Sequence, residues 1–268
     1  MTAYYNEFDP KAAAWLRQLI NNGDIAEGIV DERSVTDVQA IDLKSYTQHH
    51  FFAGIGVWSY ALRNAGWSDD TPVCTASLPC QPFSVAGKNL GKKDERHLLA
   101  HFLELVRECG FNTIFGEQVE AAIRHGWLDD LQTTMEAEGY AVGHVVLGAH
   151  STNAAHQRQR VFWVANSISK RQKRQRGKRQ EGTTKHRKAS GLGSIKWLYC
   201  KDGKRRPIKS SIKPLVNGLA RGVVYRGGSI DANATSYAKA TRLKGYGNAI
   251  NADVAREFIS AYMDVTHE

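Results

Sequence analysis

The 268-residue chain, 42% of it apolar, is long enough for one α/β domain with a smaller appendage, and no apolar run approaches a membrane span. Four cysteines at irregular spacings (Cys74, Cys80, Cys109, Cys200), with no Cys-x-x-Cys pair, argue against a disulfide framework or a zinc site and for a reducing cytoplasm. The net charge of +9 is concentrated: residues 167–213 hold 17 Lys/Arg against two acids, so a slightly acidic body carries one region suited to phosphates.

Ala3 to Phe8 reads as a strand. Asp9 followed by Pro10 is an N-cap with proline at the first helical position, and Ala13, Leu16, Leu19 and Ile20 form a helical stripe that Asn22-Gly23 stops. A second strand is expected around Ser34–Val38. Strand, helix and strand make half of a nucleotide-binding sheet, with Glu7 and Asp37 near carboxyl ends of strands, where ligands collect. Surface carboxylates capping helices are the plainer reading of the same two acids.

His49 to Gly56 then runs from a strand into Gly-x-Gly, followed by a helix over Val57–Ala65 that Gly66 ends. Such a turn lets the backbone approach a nucleotide closely. The gap from Gly56 to Ser77 holds one helix and a turn, ahead of a buried strand at Pro72–Ala76. That strand delivers Ser77-Leu78-Pro79-Cys80-Gln81-Pro82-Phe83-Ser84. Two prolines bracket Cys80 and forbid regular structure on either side, so its thiol sits on a stiff loop at a strand end. A thiol there needs nearby cations or dipoles to become a nucleophilic thiolate; a buried, inert cysteine is the alternative.

Residues Val85 to Lys93 are rich in glycine and lysine, and a helix follows from about Glu95 to Cys109. Thr113-Ile114-Phe115 reads as a strand delivering Gly116-Glu117-Gln118-Val119. A helix over Trp127–Ala137 stops at Gly139, and strands are expected at Ala141–Leu147 and Arg160–Ala165. Arg158 and Arg160, two apart, project to one face, either as a clamp for phosphate or carboxylate or as an exposed strand entrance. From Ser167 to about Thr241 the pattern dissolves into the basic run, glycine-rich pieces and the aromatic Trp197 and Tyr199. The chain closes with Gly247-Asn248-Ala249-Ile250 and a helix to about Met263.

With these residues on view, the chain resembles the DNA (cytosine-5) methyltransferase family. Phe52–Gly56 is similar to that family's S-adenosylmethionine loop, and Pro79-Cys80-Gln81-Pro82 matches its catalytic loop, with Cys80 on the nucleophile. Glu117-Gln118-Val119 resembles Glu-Asn-Val, with Gln118 in place of asparagine. Arg158-Gln159-Arg160 falls on the end of Gln-x-Arg-x-Arg, with His156 at the glutamine position. Gly247-Asn248-Ala249-Ile250 resembles the last motif, which returns to the cofactor pocket. His50 stands where the family has an aspartate. The family's two strands between glycine loop and cysteine loop are missing there, and Asn6–Pro10 and Thr36–Val38 look like those motifs moved ahead, as in compact phage or prophage versions.

The resemblance implies a Rossmann-like α/β S-adenosylmethionine-dependent methyltransferase sheet over residues 1–166 and 242–268, with a basic target-recognition region at 167–241. It implies methylation of carbon 5 of cytosine in duplex DNA through a covalent adduct on a flipped base, by a monomeric cytoplasmic enzyme of modification or restriction-modification type. Cys80, Glu117, Arg158 and Arg160 would be catalytic. Glu7, Phe8, Asp37, Phe52, Gly54, Gly56, Pro79 and Asn248 would hold the cofactor, with no metal, and the Val85–Lys93 loop would close over the base. The same reaction on RNA, a catalytically silent nucleic-acid-binding module and a dehydrogenase are the rival readings; the thiol loop speaks against the last two.

Overall fold

In the computed structural model the described residues are 2–79, 92–152, 158–168, 195–199, 205–209 and 249–267. Seven strands form the main sheet: β1 (Ala3–Asn6), β2 (Gly28–Asp31), β3 (Gln48–Phe51), β4 (Val73–Ala76), β5 (Thr113–Val119), β6 (Tyr140–Gly148) and β7 (Gln159–Ser167). Their order is β2-β1-β3-β4-β5-β7-β6. The strands from β2 across to β5 are parallel, and β7 lies antiparallel between β5 and β6.

Successive strand residues feed two different cores, because side chains alternate across a sheet. Tyr5, Phe115 and Phe162 face α1 (Pro10–Asn21), α3 (Val57–Ala65) and α6 (Ala252–His267). Tyr4, Ile114 and Trp163 face the other side, with α2 (Ala40–Leu43), α4 (Lys92–Cys109) and α5 (Trp127–Ala137). The result is a three-layer, Rossmann-like α/β architecture. Helix α6 brings Val254, Ala255 and Ile259 back into the first core, and Tyr262 hydroxyl meets Thr113 Oγ1 at 3.1 Å.

The helix ends follow local chemistry. Asp9 caps α1 by accepting from Lys11 N at 2.9 Å, and Gly66, in the left-handed region, closes α3. The chain leaves β1 towards β2 and leaves β3 in the opposite direction towards β4. The crevice between the carboxyl ends of β1 and β3 is therefore the switch point of the sheet, where α/β folds bind ligands.

Four expectations need correction. Ser34–Val38 is no strand: Val35–Asp37 is a single 3-10 turn, Ser34 accepts from Thr36 N, and Val35 and Val38, three apart, bury into one cluster. The strand is Gly28–Asp31, which pairs with β1, so Asp37 stands six residues past its end. Strand β5 continues through Glu117 to Val119 because β7 pairs with it along that whole length. The region after Ser167 contains a two-stranded antiparallel ribbon, β8 (Ile195–Tyr199) and β9 (Arg205–Lys209). The helix expected from Glu95 begins at Lys92.

Candidate active site

The first half of the site is the crevice between β1 and β3. Glu7 directly follows β1, and its carboxylate spans two backbone donors, Asp9 N at 2.9 Å and Gly54 N at 2.7 Å. Beside it, Ala53 N donates to Asn6 O at 3.0 Å, which ties the glycine loop to the end of β1. Phe52 adopts φ 52°, a left-handed conformation that is costly for a bulky residue and marks a tightly held turn. Gly54 also has positive φ, and a Cβ added there would meet nothing within 4 Å, so this backbone faces open space. Phe8 projects outward with 71% of its surface exposed. A carboxylate, an exposed aromatic ring and a bare glycine backbone thus converge, a set suited to vicinal hydroxyls, a planar base and close backbone approach.

Gly56 caps α3 from the left-handed region. Asp37 is exposed in the turn beyond β2. Its carbonyl accepts from Arg33 Nη1 at 3.4 Å, and Arg33 is itself anchored to Asp31 at 2.7 Å and Asp42 at 2.9 Å. His50, at the family's aspartate position, is fully buried in β3 against Tyr5 and Thr75 Oγ1. Burial pushes its pKa down to about 3, so this position contributes no charge.

The second half lies at the ends of β4, β5 and β7. Glu117 in β5 and Arg160 at the start of β7 meet at 2.8 Å, and both side chains are largely buried. Register explains the pairing: Val119 lies opposite Arg160, and Glu117 is two residues back on the same face. Burial raises the Glu117 carboxyl from 4.5 to about 7, against the opposing pull of Arg160 and Arg158. Burial and the nearby Arg160 lower the pKa of Arg158. Gly116 has no room for a side chain, because the indole of its cross-strand partner Trp163 occupies the place of a Cβ.

Beyond β4, Ser77, Leu78 and Pro79 lead towards Cys80. Two buried side chains grip this segment. Trp58 Nε1 donates to Ser77 Oγ at 3.0 Å, and Gln118 Nε2 donates to Leu78 O at 3.3 Å. Neither grip is readable from residue type alone, although Gln118 stands out as a departure from Glu-Asn-Val. Cys80 and Asn248 lie outside the described residues. The structure therefore joins Glu7 to Gly54 across the crevice, with Phe8 next along the chain and exposed, while Gly56 faces Leu16 and Ile25 in the core; it joins Glu117 to Arg160, with Arg158 near enough to act on the same carboxyl. Burial raises the thiol pKa of Cys74, and that of Cys109 to about 11, which makes both poor nucleophiles. Among the described residues no group of His, Cys, Asp and Glu is arranged to hold a metal.

A family model described as C-5 cytosine-specific DNA methylase matches residues 67–211. The Type II methyltransferase M.NgoBV of Neisseria gonorrhoeae is 33% identical over 115 residues, covering 38% of this chain and 26% of that protein. M.AquIA of Picosynechococcus is 34% identical over 104 residues, covering 34% of this chain and 42% of that protein. The matched part thus spans well under half the length of these curated relatives. The S. pombe Dnmt2 methyltransferase crystal structure superposes with a TM-score of 0.39 at 14% identity, covering 65% of this chain and 47% of that one.

Proposed function

The chain belongs to the C-5 cytosine-specific DNA methylase family, and on that premise we propose that it transfers a methyl group from S-adenosylmethionine to carbon 5 of cytosine in duplex DNA. The observation that carries this reading is the buried Glu117–Arg160 pair beside the strand end leading into Pro79-Cys80. A carboxyl poised near neutrality can hold or deliver a proton to a ring nitrogen, as a general acid with a pKa near the working pH should.

In this reading Cys80, as a thiolate, forms a bond to carbon 6 of the flipped base. Glu117 hydrogen-bonds the ring nitrogen and the exocyclic amine, which leaves the electron pair of the former double bond available at carbon 5. When bound, S-adenosylmethionine supplies the methyl group to that carbon, its sulfur keeping the bonding pair as a neutral thioether. The proton on carbon 5 then passes to water, the carbon–sulfur bond at carbon 6 breaks with its pair returning to Cys80, and the double bond is restored. Arg158 and Arg160 steady the base and its phosphate and favour the ionised thiol.

The crevice between β1 and β3 fits an adenosyl group: Glu7 for the ribose hydroxyls, Phe8 on the adenine, and the open Gly54 backbone beneath. Asp37 is the proposed partner of the adenine amino group, and Asn248 and Pro79 complete the pocket. The neighbouring positions of β1 and β3 support the relocated order, in which the ribose and adenine motifs precede the glycine loop. The basic residues 167–241 form the proposed contact with DNA backbone. No helix among the described residues is long and apolar enough to cross a membrane.

Bisulfite sequencing of DNA from cells expressing the parent chain and Cys80→Ser tests the proposal. Protected cytosines in one fixed sequence context, lost in Cys80→Ser, are expected. A parent chain that is folded and binds S-adenosylmethionine yet protects no cytosine would overturn it.

A further inference from the structure

We propose that Trp58 is a positioning residue that sets the catalytic loop relative to the cofactor loop, through its hydrogen bond to Ser77. This rests on the assignment of Cys80 as nucleophile. Trp58 lies in the first turn of α3, directly after the glycine loop, and only 4% of its surface is exposed. Its ring stacks on Phe115, with centroids 6.1 Å apart and planes at 22°, and meets Phe162 edge-on at 6.0 Å. Phe115 lies two residues before Glu117 on the same face of β5. Phe162 lies opposite Glu117 and two residues after Arg160. The remaining polar atom of the indole, Nε1, reaches Ser77 Oγ at 3.0 Å, three residues ahead of Cys80.

One side chain from the cofactor-loop helix therefore touches the strands bearing Glu117 and Arg160 and the segment bearing Cys80. The ring packing holds it in place, which leaves the indole N–H as a fixed reference point for Ser77. Cys80 follows Ser77 by three residues, so loss of this anchor is expected to slow attack by the thiol, because small misplacements of a reacting group are costly in rate. Trp58 and Ser77 touch no substrate in this scheme and act only by placing Cys80.

The test is the rate of covalent trapping on a duplex containing 5-fluorocytosine, at saturating DNA and S-adenosylmethionine, for the parent, Trp58→Phe, Ser77→Ala and the double variant. Trp58→Phe keeps an aromatic ring against Phe115 and Phe162 but removes part of the buried indole along with the donor, whereas Ser77→Ala removes the hydroxyl acceptor alone. Loss of one hydrogen bond predicts trapping about three- to tenfold slower in each single variant. The double variant should be no slower than either, because both changes remove the same contact. Cofactor affinity by calorimetry should stay near the parent's in each variant, and Trp58→Phe, which truncates a buried ring, should melt a few degrees lower, so trapping rates are compared at a temperature where every variant is folded. If the parent itself does not trap, the assignment of Cys80 fails. If the parent traps and both single variants match its rate, or their effects multiply in the double variant, the role of this hydrogen bond is overturned.

Discussion

Glu117→Gln separates the stability of the protein from its chemistry. The parent carboxyl is raised from 4.5 to about 7 by burial, with Arg160 and Arg158 already pulling it down. A raised carboxyl pKa means that the folded state holds its proton longer than the unfolded chain does. Its stabilising contribution is therefore complete below pH 4.5 and is lost as pH rises through 7. The full difference is about 3 kcal/mol, of which roughly 2–3 kcal/mol falls between pH 5 and pH 8. Glutamine does not ionise, so Glu117→Gln should gain about that much on the parent between these two pH values. For a chain of this size the gain appears as a relative rise in Tm of about 4–6 °C. Urea unfolding of both proteins at pH 5, 6, 7 and 8 reads it directly, and methyl transfer by Glu117→Gln should be nearly abolished throughout. A stability difference that stays flat from pH 5 to pH 8 would refute the argument that burial outweighs the two arginines.

Three further outcomes are expected. Arg160→Gln removes the charge that opposes burial, so the Glu117 carboxyl should titrate above 7, read by carbon-13 NMR of labelled glutamate. Glu7→Ala should weaken S-adenosylmethionine binding about ten- to a hundredfold by calorimetry, with Asp37→Ala acting more weakly. Because Glu7 also holds Gly54 N, Glu7→Gln should fall between Ala and parent; cofactor binding at parental strength in all three variants would remove these acids from the site. Gly116→Ala forces a methyl group into the Trp163 indole and should cost about 1–3 kcal/mol in urea unfolding.

Local chemistry alone determined several elements. Asp9-Pro10 and Asn22-Gly23 bound α1, Gly66 ends α3, and the helix over Trp127–Ala137 is written in its own periodicity, because caps and turns depend on neighbours in sequence. The Phe52–Gly56, Pro79–Pro82 and Glu117–Val119 motifs were legible for the same reason: each is a short contiguous run. The tertiary structure decided what joins distant segments. It set β1 between β2 and β3, which brings Glu7 onto Gly54 across 47 residues. It set the β5–β7 register, which delivers Arg160 to Glu117 and lengthens β5 beyond Phe115. It also turned Ser34–Val38 from an expected strand into a 3-10 turn. A few residues holding two apolar positions satisfy either period, and only the cluster that buries both Val35 and Val38 chooses between them. Strand pairing and burial depend on partners far along the chain, so no local pattern could have specified them.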